Sequence, residues 1–207
     1  MHFDMAALND AQRYKLMAGC IVPRPIAWVS SQSADGVGNV APYSFFNMMG
    51  ASPPLLVLGT MRLPDGRLKD TAANILETRE FVVHLVGEQL LAAMNTTCID
   101  APPEVDEAAL AGLAMRASRM VAPPTIADAP VAYECRLFDF VDAPPETVIL
   151  IGEVAGMSIT DAFIDAERLR PDPYAMGLIG RVTGPGSYTR ISADLTAERP
   201  VWGSETR

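Results

Sequence analysis

Three runs of the sequence carry residue types that could bind and orient a ligand. The first is Gly38–Asn39–Val40–Ala41–Pro42–Tyr43–Ser44–Phe45–Phe46. Asn39, Tyr43 and Ser44 offer polar groups beside two phenylalanines, so the run could lay an aromatic ligand on an apolar wall while amide and hydroxyl groups read its edge. The same pattern also describes a half-buried edge strand. The second run is Lys69–Asp70–Thr71, continuing to Asn74. A helix starting here exposes unpaired N–H groups and the positive end of its dipole; Lys69 adds a full charge and Thr71 a hydroxyl, a set that suits a phosphate. It equally describes a capped surface helix with a solvated lysine. The third is Gly180–Arg181–Val182–Thr183–Gly184–Pro185–Gly186–Ser187–Tyr188. Arg181 and Tyr188 could close over a planar ligand, or the run is a tight turn with an arginine in an ion pair.

Other chemistries lack their residues. No Ser/His/Asp order or nucleophile elbow is present, and no GxGxxG precedes a helix. The carboxylates show no paired spacing of a two-carboxylate hydrolase. With two histidines, His2 and His84, and no CxxC, no protein-built metal site is expected. Cys20, Cys98 and Cys135 read as small buried thiols in a reducing compartment. His84, inside a strand, reads as a satisfied core histidine. The net charge of −9 excludes a broad basic footprint for nucleic acid, so any phosphate must be held by local cations and backbone N–H groups. Apolar stretches are too short to span a membrane, and Met1 to Asp10 lacks a signal pattern, which points to a cytoplasmic protein.

The elements that must position these runs are mostly strands. The length suits one domain over 1–207, with a lead-in at 1–20 and a tail at 191–207. Pro25 to Ser30 predicts a strand, and Asp35–Gly36 a hairpin turn into a return strand from Val37 to Phe46. Pro42 places that strand at an edge or a bulge, because proline cannot donate to the ladder. Further strands are expected over Leu55–Met61, Phe81–Val86, Val131–Val141, Thr147–Ile159 and Tyr174–Ile179. Helices are expected around 71–78, with Asp70 as N-cap, and at 88–94 and 104–111. Gly184–Pro185–Gly186 predicts a turn. Many strands with few helices give a mainly β fold, a barrel or sandwich with peripheral helices.

In order along the chain, the runs form a larger pattern. Arg24–Pro25–Ile26–Ala27–Trp28–Val29–Ser30–Ser31, the run from Gly38 to Phe46, Pro53–Pro54, Lys69–Asp70–Thr71–Ala72–Ala73–Asn74–Ile75 and Glu80–Phe81–Val82–Val83 come first. Pro123–Pro124, Pro130–Val131–Ala132–Tyr133–Glu134–Cys135 and Gly180–Arg181 through Tyr188 follow. From about residue 20 to 190 the chain resembles the flavin reductase-like family of FMN-binding split barrels. The resemblance implies an antiparallel split β-barrel of Greek-key type, homodimeric, with FMN near the subunit interface. It implies that Asn39, Ala41, Tyr43, Ser44 and Phe45 border the isoalloxazine, with backbone N–H groups of 41–45 facing its pyrimidine edge. Ser30, Ser31, Lys69 and Thr71 would lie toward the ribityl phosphate, and Arg181 and Tyr188 near the flavin. NADH or NADPH would be the hydride donor of a flavin reductase. A flavin or electron carrier without turnover, and a flavoprotein reducing another acceptor, are the alternatives. Asn47–Met48–Met49–Gly50 lies outside the pattern.

Overall fold

The computed structural model describes residues 1–184, 186–192 and 195–202. Helix α1 (Asp10–Cys20) opens the chain with a capping box: the Asn9 side chain accepts from the Gln12 N–H, and the Gln12 side chain accepts from the Asn9 N–H. Strands β1 (Arg24–Pro25), β2 (Ala27–Gln32), β3 (Gly38–Tyr43), β4 (Phe45–Ala51) and β5 (Pro54–Met61) follow. Helix α2 (Asp70–Thr78) leads into β6 (Glu80–Leu85). Next come α3 (Leu91–Thr96), α4 (Glu107–Leu110) and the small pair β7 (Met115–Arg116) and β8 (Thr125–Ile126). The long hairpin β9 (Val131–Ala143) and β10 (Thr147–Ile159) turns at Pro144–Pro145, as the prolines predict. The chain then adds β11 (Ile164–Asp165), β12 (Arg170–Pro171), β13 (Ile179–Arg181) and β14 (Tyr188–Arg190).

Seven strands form one antiparallel sheet in the order β3-β2-β6-β9-β10-β5-β4. β3 and β4 stand at its opposite ends, yet only Ser44 separates them along the chain. The sheet must therefore curl until its two ends meet at that residue, which makes it a barrel. The expected single strand from Val37 to Phe46 is thus two strands, broken at Ser44 where the chain turns the barrel's corner. Pro42 sits on the edge strand β3, where its missing N–H leaves no gap in the ladder.

Side-chain alternation along β2 divides the core in two. Ala27 and Val29 face the barrel interior with Leu56, Leu58, Phe81, Val83, Leu137, Val148 and Leu150, and Ala72 and Ile75 of α2 close its end. Ile26 and Trp28 face outward into a second core with Val40, Val86, Met94, Ala108, Ile126 and Ile179, beneath α3 and α4. Burial on both faces explains why β2 is apolar with short hydroxyl side chains rather than alternating polar and apolar. Each such aliphatic burial contributes about 1.5–3 kcal/mol. Gly152 lies at a register shift of β10, where a Cβ would stand 2.4 Å from Phe81 Cζ.

Four expectations are corrected. Tyr174–Ile179 is a turn ending in the β13 strand; Tyr174 and Ala175 N–H groups bond the Asp172 carboxylate, so the apolar run serves a turn held by an aspartate. The helix expected at 104–111 is shorter, Glu107–Leu110, because Asp106 caps it by accepting from Ala108 and Ala109 N–H groups. Asp70 is the first residue of α2, and Lys69 is its N-cap. Cys20 and Cys98 are exposed, and only Cys135 is buried. The turn expected at Gly184–Pro185–Gly186 joins β13 to β14, although Pro185 lies outside the described residues, as do Ala193, Asp194 and 203–207 of the expected tail. Among the described residues, no helix is long and apolar enough to cross a membrane.

Candidate functional site

A cleft of about 430 Å³ opens where β3 faces the start of α2. One wall is Asn39, Ala41 and Tyr43, the second is Lys69, Asp70 and Thr71, and the third is the loop from Thr97 to Pro103 with Glu107 behind it. The N-cap of α2, Lys69, makes no capping side-chain bond. The first-turn N–H groups therefore keep their capacity to bind an acceptor from the cleft.

Behind this opening the polar side chains are locked together. Asn39 Nδ2 donates to Thr71 Oγ1 at 2.7 Å and to Ser31 Oγ at 3.3 Å, and Asn74 Nδ2 donates to the same Ser31 oxygen at 3.2 Å. All four residues are buried. The interior parity of β2 puts Ser31 in this network and sends Ser30 the other way, where its hydroxyl donates to the Pro124 carbonyl. Burial pushes the Tyr43 phenol up to about 12, against a hydrogen bond from Thr71 that favours ionisation. Tyr43 is thus a neutral donor and acceptor at any physiological pH.

The mouth is a balance of charges. Lys69 Nζ donates to Asp100 Oδ1 at 2.8 Å across the opening, and Arg67 pairs with Asp65 at 2.7 Å. Burial raises the Glu107 carboxyl, offset by the Val40 N–H that donates to it at 3.1 Å. Burial likewise raises Asp70. That Val40 bond fixes the edge of β3. Antiparallel pairing alternates, so Val40 and Pro42 turn outward while the N–H groups of Asn39, Ala41 and Tyr43 face β2. Of the backbone donors expected over 41–45, Pro42 has none and two are spent in the ladder. Of the rest, Ser44 lies between the strands and Phe45 opens β4 opposite Gly59.

Ser44 and Phe45 sit around the corner, in a second groove of about 580 Å³ with Tyr14, Met17 and Arg24. Arg181 and Tyr188 stack on one another, Arg181 Cζ lying 4.9 Å from the Tyr188 ring, and Arg181 Nη2 donates to the Gly184 carbonyl at 2.7 Å. Neither residue lines the cleft. The structure thus brings Asn39, Ala41, Tyr43, Lys69 and Thr71 to one opening with Ser31 beneath it, and places Ser30, Ser44, Phe45, Arg181 and Tyr188 elsewhere.

The third wall was missing from the sequence reading. Cys98 and Asp100 lie at the edge of a Pro/Ala-rich stretch, and Glu107 in the short helix expected at 104–111, none of them in a recognisable motif. The loop is held by a distant contact, Trp28 Nε1 donating to Thr97 Oγ1 at 2.9 Å. His84 is a core residue as expected. Nδ1 bonds the Trp28 carbonyl at 2.8 Å and Nε2 accepts from the Ile126 N–H at 3.0 Å, which fixes the neutral tautomer with its proton on Nδ1. Burial lowers its pKa to about 4.

The cleft's donor set suits a flavin phosphate: an uncapped helix start, one ammonium and one hydroxyl, beside a strip carrying an amide and a phenol. Residues 17–170 match the flavin reductase like domain. Among solved structures, the chain is similar to a Pseudomonas fluorescens 2-nitrobenzoate 2-nitroreductase, with 35% identity, TM-score 0.88 and 98% of each chain covered. It is similar to nitrilotriacetate monooxygenase component B from Bacillus cereus, with 31% identity, TM-score 0.90, and 95% of this chain and 98% of that one covered. A Shewanella frigidimarina protein with a split barrel domain shares the fold at 20% identity and TM-score 0.80, with 97% and 99% covered.

Proposed function

The chain belongs to the flavin reductase-like domain family, and from that premise we propose that it is an FMN-binding oxidoreductase reduced by NADH or NADPH. The observation that carries this reading is the uncapped start of α2, with Lys69 and Thr71, facing Asn39, Ala41 and Tyr43 across one cleft. Lys69 and the first-turn N–H groups, that of Thr71 among them, would hold the phosphate, and the strip from Asn39 to Tyr43 would lie along the ligand toward the corner at Ser44. FMN would supply the hydride chemistry itself when bound.

The residues in place bind and orient; none is required to move a proton. The Asn39–Thr71–Ser31–Asn74 network fixes the wall so that little ordering remains to be done on binding. Tyr43 stays neutral and adds no charge to the site. The reading includes a homodimer. Support comes from β4, an edge strand of the sheet with exposed Phe45, Met48 and Met49, a surface that monomers rarely leave open.

A second reading, a flavoprotein that reduces an organic acceptor, is favoured by the aromatic-lined groove beyond Ser44 and by the 2-nitrobenzoate 2-nitroreductase at 35% identity. The test is anaerobic mixing of the FMN-loaded protein with NADH and with NADPH. Bleaching of the bound flavin followed by turnover with free flavin supports the reductase. Bleaching with turnover only on an added nitroarene supports the second reading. Bound flavin that neither nucleotide bleaches supports the carrier, and protein to which added FMN does not bind in titration refutes all three.

A further inference from the structure

Arg67 lines the same cleft as Lys69, and the phosphate of FMN leaves it without a task. Leu68 between them packs onto the barrel core, while both its neighbours line the opening. The Lys69 side chain is 35% exposed and that of Arg67 72%, so the two cations stand in file from the inside of the cleft to its mouth. Lys69 has extended backbone, and positions i and i+2 of an extended chain lie roughly 7 Å apart. That spacing lets two neighbouring phosphates of one pyrophosphate meet one cation each. Burial raises the Asp70 carboxyl, and Arg67 offsets that rise more than Lys69 does. Asp70 is the first residue of α2, so the guanidinium stands over the helix start.

The guanidinium also has donors to give. Nε donates to Asp65 Oδ2 at 2.7 Å, and among the described residues Nη1 and Nη2 donate to nothing. Their four N–H groups form the planar fork that matches a phosphate. The Asp65 side chain is itself 53% exposed, and an exposed ion pair holds its members weakly. The rim beside the fork is apolar: Ile99, Pro102 and Pro103 are exposed and line the opening. A single phosphate held by Lys69 and the first-turn N–H groups uses neither the fork nor this rim.

We propose that the cleft admits a flavin carried on a pyrophosphate, FAD as well as FMN. Lys69 and the α2 start hold the phosphate nearer the flavin, Arg67 holds the second, and the adenosine lies outside along the rim of Ile99, Pro102 and Pro103. Arg67 is then the residue that reads dinucleotide from mononucleotide. The inference rests on the flavin reading of this cleft and names the ligand class that the cleft accepts.

Calorimetric titration of the full chain with riboflavin, FMN and FAD tests it, on wild type, Arg67→Gln and Lys69→Ala. Wild type should bind FAD within about threefold of FMN, or more tightly. Arg67→Gln, at an exposed position, should weaken FAD by about three- to tenfold, the order of a charge-assisted hydrogen bond at a screened surface, and FMN by no more than about twofold. Lys69→Ala should weaken FMN and FAD alike and leave riboflavin unchanged. Wild type that binds FMN but holds FAD more weakly than that about threefold margin would overturn the proposal and leave the flavin reading standing. Equal losses of FMN and FAD in Arg67→Gln, or no loss of either, would do the same. Binding of none of the three flavins, or of FMN and FAD no better than riboflavin, would overturn the phosphate reading of the cleft and this proposal together. The wild-type comparison of FMN with FAD needs no variant, so a misfolded one leaves the test intact.

Discussion

Asp100→Asn should raise the affinity of the chain for FMN and leave riboflavin unaffected. The reasoning starts from Lys69, whose ammonium is paired with Asp100 at 2.8 Å across the cleft mouth. A phosphate arriving at the α2 start must share that ammonium, which sets its charge about 5 Å from the Asp100 carboxylate. Asp100 is 72% exposed at its side chain, so a dielectric near that of water applies. Two unit charges then repel by roughly 0.8 kcal/mol, and a phosphate near −2 by about 1.5 kcal/mol. Screening at physiological salt cuts this to about 1 kcal/mol. Removing it should tighten FMN by about fivefold. Lys69→Ala acts in the opposite sense and loses a charge-assisted bond, about 1.5–3 kcal/mol or roughly 10- to 150-fold. Riboflavin has no phosphate and should respond to neither change. Fluorescence titration of both ligands against wild type and both variants measures all six affinities. Equal shifts for FMN and riboflavin, or an unchanged FMN affinity in Lys69→Ala, would refute a phosphate at the α2 start.

His84 should make the fold acid-sensitive. Its folded pKa of about 4 lies below the ordinary 6.5, so the unfolded chain takes the proton first; its contribution is complete above about pH 6.5 and is lost as pH falls toward 4, by roughly 3 kcal/mol in all. Denaturant unfolding of wild type and His84→Gln across that range measures it, and identical pH slopes would contradict it. Gly152→Ala should destabilise by about 1–3 kcal/mol, since its Cβ would meet Phe81 Cζ at 2.4 Å inside a packed barrel; an unchanged denaturation midpoint would show that Phe81 yields freely. Asn39→Asp should weaken FMN severalfold and riboflavin less, because the carboxylate loses the amide's donors to Thr71 and Ser31 and sets a negative charge beside the α2 start. Fluorescence titration tests this, and equal losses for the two ligands would show that Asn39 does not border the phosphate.

How much was legible in the sequence depended on the range of the forces involved. The β9–β10 hairpin was readable because two long strand patterns flank a proline pair, and α2 because an acidic start precedes helical spacing. The edge position of β3 followed from Pro42 alone. What failed was set at a distance. Tyr174–Ile179 has strand-like residues, but Asp172 captures its N–H groups locally and wins over propensity. The third wall of the cleft depends on Trp28 holding Thr97 across 69 positions, and on Glu107 reaching Val40 across 67, contacts that no local pattern announces.

Ser30 and Ser31 show the same limit at the scale of a single peptide unit. Both are hydroxyls on β2, both are buried, and the family resemblance implies the phosphate for both. Their roles diverge only through the pleat. Ala27 and Val29 face the interior, so Ser31 follows them and meets Asn39 and Asn74, while Ser30 follows Trp28 outward to the Pro124 carbonyl. The period of two was available from the start, but its phase was not, because both faces of β2 are buried and neither is marked by charge. The phase was set by Trp28, whose indole finds Thr97 only on the outer side. The same phase orients β3 through the register pairing Ser31 with Asn39, which brings the Asn39 amide to Thr71 at the uncapped start of α2. A slip of one residue between these strands would put Val40 in that place and leave Thr71 without its donor. The geometry of the cleft therefore rests on the register of one edge strand, and that register is held by the hairpin turn at Gly36, which adopts φ +89°.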